Sequence, residues 1–159
     1  FQTVLNLQGD LPEMDPAIPA ALAAALDRSG ADLATLVTPA TVEEAARPQV
    51  VKAVIAWDKG VEQSTTTAGR YGRALYFSRA PIPAGANEYS HHIGVYGWQR
   101  SALSKFVMLP PSPLEKMEKL EQLRALEAGM TVAVTQIGLI PCGIDTEDDL
   151  EAARRRLGH

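Results

Sequence analysis

Two aspartates stand where α/β proteins place ligand-binding groups. Asp10 follows an apolar segment, residues 3–7, that is typical of a strand buried on both faces, and Gly9 allows the sharp turn before it. Ligands of open α/β sheets bind at the carboxyl ends of the strands, so the Asp10 carboxylate is a candidate ligand group. Aspartate is also a common turn residue, so a plain turn remains an open alternative. Asp145 lies just before the predicted C-terminal helix, and from the residues alone a second cap on that helix is the favoured interpretation.

A third carboxylate, that of Glu121, is unusual because of the helix predicted around it. Ser112 and Glu115 form a capping-box signal for a helix that Gly129 ends. On a single continuous helix, Glu121 falls on the apolar stripe that includes Leu114. A buried carboxylate needs a partner, so either an arginine pairs with it or it faces a ligand cleft. Helix geometry alone favours neither.

The elements that must position these groups follow from hydrophobic periodicity and from turn signals. Strand-like and helix-like segments alternate, but some strands follow one another directly, which predicts an α/β fold with a mixed, mostly parallel sheet, helices on both faces and an antiparallel excursion. Strands are predicted over residues 32–37, 49–57, 74–78, 91–96 and 131–137, and helices over 17–26, 41–46, 99–107, 113–128 and 147–157.

The composition predicts one ordinary globular domain spanning residues 1–159. Of the residues, 46% are hydrophobic and 21% charged, and the net charge of −4 argues against nucleic-acid or acidic-membrane partners. A single cysteine, Cys142, excludes an internal disulfide and a cysteine-built zinc site, which fits a reducing, cytoplasmic compartment. No apolar run approaches the length of a membrane span. Because the chain opens at Phe1 on the approach to what is predicted to be a central strand, we expect an upstream portion of the protein.

Several motifs occur in an order that is specific when they are taken together. The chain resembles the 3-deoxy-manno-octulosonate cytidylyltransferase (CMP-Kdo synthetase) family over essentially its whole length. The motifs are Leu-Gln-Gly-Asp at 7–10, Tyr-Phe-Ser-Arg-Ala-Pro-Ile-Pro at 76–83, His-Ile-Gly-Val-Tyr at 92–96, Pro-Pro-Ser-Pro-Leu-Glu at 110–115, Leu-Glu-Gln-Leu-Arg at 120–124 and Gly-Ile-Asp-Thr at 143–146.

The resemblance implies a Rossmann-like nucleotidyltransferase fold and the reaction of CTP with Kdo to give CMP-Kdo and pyrophosphate. It implies Mg²⁺ as cofactor, with Asp10 and Asp145 as the catalytic metal ligands and with Gln8 and Gly9 as cofactor-binding residues. A hard cation such as Mg²⁺ prefers carboxylate oxygens, which fits the two aspartates. A homodimer is also implied, with a sugar-binding and dimerisation region at about residues 70–130.

The resemblance further implies the pocket for Kdo, a sugar acid that needs a cation and several hydrogen-bonding groups. The implied substrate-binding residues are Arg79, His92, Tyr96, Glu121 and Gln122. A ligand-facing Glu121 would explain the carboxylate on the apolar stripe. His91 and His92 point to opposite faces of a strand, and one of them could simply be a core histidine. On the motif around it, we place His92 in the site and His91 outside it.

Two departures from the family pattern bear on activity. Leu11 stands where the family often has an acidic residue, and no glycine-rich phosphate loop occurs in the 159 residues. We therefore expect impaired turnover if this chain acts alone. Two other functions are alternatives to CMP transfer to Kdo. One is a non-catalytic fragment that binds a sugar acid or forms dimers, and the other is a cytidylyltransferase for a related sugar acid such as a sialic acid.

Overall fold

The computed structural model describes residues 1–6, 15–59, 69–138, 151 and 154–155. In this part of the chain, six strands form one sheet in the order β1-β5-β2-β6-β4-β3, with a further bridge between β3 and β5. The strands are β1 (Thr3–Asn6), β2 (Leu33–Ala40), β3 (Lys52–Trp57), β4 (Tyr71–Ser78), β5 (Tyr89–Gln99) and β6 (Val132–Gln136). The helices are α1 (Ala17–Ser29), α2 (Val42–Ala45), α3 (Arg100–Phe106), α4 (Pro113–Glu118) and α5 (Gln122–Glu127).

The sheet is mixed, and its strand directions define the ligand edge. β2 and β6 pair in parallel, whereas β5 runs antiparallel to β1 and to β2. β1, β2 and β6 therefore point the same way, and β4 and β5 form the antiparallel excursion. The predicted α/β fold with a mixed sheet is confirmed, but the expectation that the sheet is mostly parallel is wrong for the described strands, because β2–β6 is the one parallel pair among them. The reason is that β5 lies between β1 and β2.

Alternate residues of the central strand β2 belong to two different cores. Leu33 and Val37 pack with α3 and α5 on one face, while Ala34 and Leu36 pack with α1 on the other. This alternation is the period of two that a strand imposes on its side chains. The prediction of helices on both faces is confirmed, and the first of these two faces also carries His92 and Tyr96.

Several helix ends have the capping residues that are typical of such positions. Thr41 and Ser112 each form a complete capping box, with Glu44 and Glu115 as their partners. α1 ends at Ser29, and its C-cap residue, Gly30, has a left-handed φ of 63°. No helix in the described ranges is both long enough and apolar enough to cross a membrane.

Two further expectations are wrong. β1 is half-buried and lies at the end of the described sheet, rather than being a fully buried central strand. The predicted helix over 113–128 is two helices, because Lys119 adopts a left-handed φ of 56° and ends α4. Because the helix breaks at Lys119, Glu121 does not share one continuous apolar stripe with Leu114. Glu121 is exposed and precedes the first residue of α5.

Candidate functional site

His92 is the buried centre of the predicted sugar pocket. Its ring packs edge-on against Phe77 with 4.8 Å between ring centroids, and the ring of Tyr96 lies 5.6 Å away. The Nε2 atom of His92 lies 2.9 Å from Oγ1 of Thr35 on the neighbouring strand β2. Burial holds the pKa of His92 at about 3, so the imidazole is neutral at pH 7.

A register shift in β5 shapes this part of the site. Thr35 pairs with Tyr96, but the next residue, Leu36, pairs with Ile93, so β5 contains two extra residues at this point. Such bulges bend a strand and redirect its side chains, and they are common beside functional sites. Gly94 lies within the bulge, and a Cβ atom placed on it would meet no atom within 4 Å.

Tyr96 is buried next to His92 and continues into an aromatic row formed with Trp98 and Phe106. Burial raises the pKa of the Tyr96 phenol, and the negative charge of Glu121 raises it further. The structure thus places two of the predicted substrate-binding residues, His92 and Tyr96, side by side.

Gln122 carries an unsatisfied hydrogen-bond donor. It follows Glu121 at the start of α5 and is only 3% exposed, and its Nε2 atom has no hydrogen-bond partner in the described structure. A buried amide without a partner is costly and needs a structural or functional explanation. A ligand hydroxyl that accepts from Nε2 would supply the missing partner.

Arg79 follows the last residue of β4 and is held by backbone carbonyls. Its Nε donates to the carbonyl oxygen of Glu118 at 3.0 Å, Nη1 to that of Pro48 at 3.1 Å and Nη2 to that of Lys119 at 3.4 Å. Carbonyl groups orient a guanidinium without neutralising it, so the positive charge of Arg79 remains available to an anionic ligand. The bond to Lys119 also ties Arg79 to the α4–α5 connection that carries Glu121.

A buried polar cluster that the sequence interpretation did not identify supports the backbone at Arg79. The Glu118 carboxylate accepts from Ser78 Oγ at 2.7 Å and from the backbone nitrogen of Arg79 at 3.0 Å. Lys52 is fully buried and donates from Nζ to the carbonyl oxygen of Arg79 at 2.5 Å. Lysine inside the apolar strand segment 50–55 was the available signal for this cluster, and a threonine inside the apolar segment 33–37 was the signal for Thr35.

The remaining predicted site residues, Gln8, Gly9, Asp10 and Asp145, lie outside the described residues. Within the described ranges, no group of three or more His, Cys, Asp or Glu side chains could hold a metal ion. The strands that lead toward the two aspartates, β1 and β6, end at Asn6 and Gln136 on the same edge of the sheet.

A cavity of about 560 Å³ is lined by none of the described candidate residues. It is lined by the end of α1 and by Tyr71, Arg73 and Thr131. Arg28 in its wall already stacks over Tyr71 at 4.6 Å and lies 3.9 Å from Asp58. We therefore place the candidate site at His92 and not in this cavity.

Known proteins resemble the chain over nearly all of its length. It is 52% identical over 97% of its residues to the 3-deoxy-manno-octulosonate cytidylyltransferase of Parvibaculum lavamentivorans, and 51% identical over 97% to that of Rhodospirillum centenum. In both comparisons the chain spans 57% of the relative's own length.

Solved structures resemble the fold. A CMP:2-keto-3-deoxy-manno-octonic acid synthetase complexed with CTP superposes with a TM-score of 0.82 at 33% identity, covering 99% of this chain and 62% of that one. The apo form of a UDP-glucose pyrophosphorylase superposes with a TM-score of 0.62 at 11% identity, covering 99% of this chain and 55% of that one, which bears on the fold alone. A family model described as cytidylyltransferase matches residues 1–132. The chain therefore belongs to the cytidylyltransferase family.

Proposed function

We propose that the protein to which this chain belongs transfers CMP from CTP to Kdo, giving CMP-Kdo and pyrophosphate. The observation that carries the proposal is the 52% identity with a 3-deoxy-manno-octulosonate cytidylyltransferase over 97% of the chain. The polar side chains among the predicted substrate-binding residues support the assignment, because a polyhydroxylated acid needs donors, acceptors and a cation. Since the chain spans 57% of that relative, the activity is proposed for the whole protein.

Each described pocket residue has a role that its surroundings support. The guanidinium of Arg79, oriented by three carbonyls, binds the carboxylate of the sugar acid. The orphaned Nε2 of Gln122 donates to a sugar hydroxyl, and the exposed carboxylate of Glu121 accepts from one. Neutral His92 and the Tyr96 phenol supply further uncharged hydrogen-bonding groups.

We also propose Asp10 and Asp145 as ligands of Mg²⁺, with Gln8 and Gly9 beside the nucleotide. Two carboxylates are a suitable donor set for this hard cation. β1 and β6 are three strand spacings apart, roughly 14 Å, and leave the sheet at the same edge. Asp10 follows Asn6 by four residues and Asp145 follows Gln136 by nine, and at about 3.3 Å per extended residue both segments are long enough to meet.

The proposed reaction needs no covalent enzyme intermediate. The anomeric hydroxyl of the sugar loses its proton to water and attacks the α-phosphorus of CTP in line. The bond from that phosphorus to the oxygen bridging to the β-phosphate breaks, and pyrophosphate leaves. The protein contributes by holding the hydroxyl and the phosphorus in a reactive geometry, which is the main catalytic effect available to phosphoryl-transfer enzymes. The magnesium ion would neutralise charge on the phosphates. Arg79, Gln122 and Glu121 fix the sugar on the face of the sheet that carries His92.

We propose a homodimer as the assembly, formed through the region at about residues 70–130. Four of the large apolar side chains that the described structure exposes fall in this region: Leu75, Val107, Met108 and Met117, of which Met108 is 81% exposed. Light scattering of the whole protein tests this proposal, since a monomer at micromolar concentration would contradict it.

The experiment that tests the function is pyrophosphate release from CTP, Kdo and Mg²⁺ by the protein expressed from its complete reading frame. A sialic acid in place of Kdo tests the alternative acceptor, and release with sialic acid alone would replace the substrate assignment. Binding of Kdo without any release would favour the non-catalytic alternative. Asp10→Asn should reduce the rate by orders of magnitude, whereas Asp27→Asn, on the exposed side of α1, is the matched control.

A further inference from the structure

The side-chain hydroxyl of Thr35 has three polar neighbours. It is fully buried, and its Oγ1 atom lies 2.8 Å from the carbonyl oxygen of Val95 and 3.1 Å from that of Ile93. The third neighbour, at 2.9 Å, is Nε2 of His92. The register shift in β5 is what turns two carbonyl groups of that strand toward one hydroxyl.

The hydroxyl has a single proton, and the two carbonyl groups determine where it goes. A carbonyl oxygen can only accept, so an oxygen–oxygen contact of 2.8 Å is stable only if the Thr35 proton lies between the two atoms. With its proton given to the carbonyl groups, Oγ1 can only accept from His92. The hydrogen of the neutral imidazole must therefore be on Nε2, because the opposite tautomer would leave Oγ1 and Nε2 as two facing acceptors.

We propose that Thr35 is a positioning residue that fixes His92 as the Nε2–H tautomer and so makes Nδ1 the acceptor nitrogen for a hydroxyl of the sugar acid. The identity of that hydroxyl donor rests on the proposed function, whereas the tautomer rests on the contacts of Thr35 alone. In many proteins a neighbouring group hydrogen-bonds to one ring nitrogen of a functional histidine and so fixes its tautomer. Here a hydroxyl takes the place of the usual carboxylate or carbonyl acceptor and adds no charge to the pocket.

Long-range ¹H–¹⁵N correlation spectra of the whole protein test the tautomer directly. The chain has three histidines, His91, His92 and His159, and the signals lost in His92→Gln assign those of His92. We expect the Nε2–H pattern in the wild type and in Thr35→Ser, which keeps the hydroxyl. Thr35→Val removes it and should shift the His92 signals toward the Nδ1–H form or a mixture of both.

The matched control is Thr135→Val. Thr135 is equally buried, on the neighbouring strand of the parallel pair, and its Oγ1 has no hydrogen-bond partner in the described structure. The Thr135→Val substitution should leave the His92 signals unchanged. The Nδ1–H form in the wild type, or an unchanged spectrum in a folded Thr35→Val, would overturn the proposal.

Binding of Kdo, measured by calorimetry, tests the second part of the proposal, which is the role of His92 Nδ1 as an acceptor for a sugar hydroxyl. Losing one well-placed acceptor corresponds to roughly tenfold weaker binding for Thr35→Val, with Thr35→Ser and Thr135→Val near the wild type. Equal binding by Thr35→Val would overturn the role of Nδ1 toward the sugar. Failure of the wild type to bind Kdo would refute the proposed function, and the tautomer assignment would still be decided by the spectra.

Discussion

The ammonium nitrogen of Lys52 lies 2.5 Å from the carbonyl oxygen of Arg79 and connects the first residue of β3 to the chain that leaves β4. The same nitrogen donates to the carbonyl oxygens of Val50 at 2.7 Å and Arg47 at 3.3 Å. All three N–H groups of this fully buried side chain are therefore satisfied by backbone acceptors. Burial lowers the pKa of Lys52, and the nearby carboxylate of Glu118 opposes that effect.

Replacing Lys52 by methionine should destabilise the protein by about 2–4 kcal/mol. Methionine fits the apolar surroundings but leaves three carbonyl groups without their donor, and an unsatisfied buried acceptor is costly. Urea denaturation followed by circular dichroism measures the change. Lys105→Met, on the exposed side of α3, should change stability by less than about 0.5 kcal/mol. A Lys52→Met variant as stable as this control would mean that the Lys52 bonds contribute little.

Acidification should destabilise the fold through His92. Its pKa is about 3 in the folded protein, against an ordinary value of 6.5, so the unfolded chain binds the proton more readily. The stability due to neutral His92 is complete above pH 6.5 and is lost as the pH falls toward 3. Between pH 7 and pH 4 the loss amounts to about 3 kcal/mol. His92→Gln should remove that part of the pH dependence, and parallel stability curves for the two proteins would contradict the buried neutral histidine.

Changing Arg124 to lysine should loosen the packing of α4 against α5. Arg124 binds the Glu115 carboxylate through both Nε, at 2.8 Å, and Nη2, at 2.5 Å, and its guanidinium stacks on Phe106. Lysine offers neither the planar fork nor the stacking surface, so we expect a loss of about 1–2 kcal/mol. Thermal denaturation measures the effect. Arg155→Lys is the exposed control, and equal melting temperatures for the two variants would show that charge alone suffices at position 124.

Two glycines of β5 should respond differently to alanine. A Cβ atom on Gly97 would lie 3.1 Å from Leu26 Cδ1 and 3.3 Å from Leu22 Cβ, so α1 would have to shift. We expect Gly97→Ala to cost about 1–3 kcal/mol through overpacking. Gly94→Ala meets no atom within 4 Å and should be close to neutral in stability. Chemical denaturation of both variants is the measurement, and equal effects would contradict the close packing of α1 on Gly97.

Glu121→Gln should weaken Kdo binding without changing stability. The side chain is exposed, so its carboxylate is free of any burial cost and removing its charge leaves the fold unaffected. Loss of a charged acceptor for a sugar hydroxyl corresponds to roughly tenfold weaker binding. Calorimetry with Kdo measures this, and Glu43→Gln in the exposed first turn of α2 is the control. A change in melting temperature with unchanged Kdo affinity would favour a structural role.

The parts of the fold that local signals determine could be predicted from the sequence. The capping box of Ser112 with Glu115 depends on side chains within three residues of each other, and it is found. The break at Lys119 could not be predicted, because lysine has no intrinsic preference for positive φ. The carbonyl groups of Glu118 and Lys119 are held there by Arg79, which is distant in sequence.

The candidate site also contains residues that the sequence predicted and residues that it did not. His92, Tyr96 and Gln122 were predicted from motifs, and the structure supplies their burial and their neighbours. Thr35 and Lys52 were missed because their importance depends on carbonyl groups that are turned toward them by a bulge and by a strand end. An apolar strand context marks such residues as unusual, but it does not reveal the acceptors that they meet.

The parallel pairing of β2 with β6 also has a consequence for biosynthesis. Asp32 and Thr131, which bond to each other at the start of these strands, are 99 residues apart in sequence. At about 5–20 residues per second, a ribosome needs roughly 5–20 s to synthesise the chain between them. During that time the open side of β2 has no native partner, and high contact order makes such pairings slow to form. Chaperone demand during translation should therefore be greatest before β6 emerges and closes the middle of the sheet.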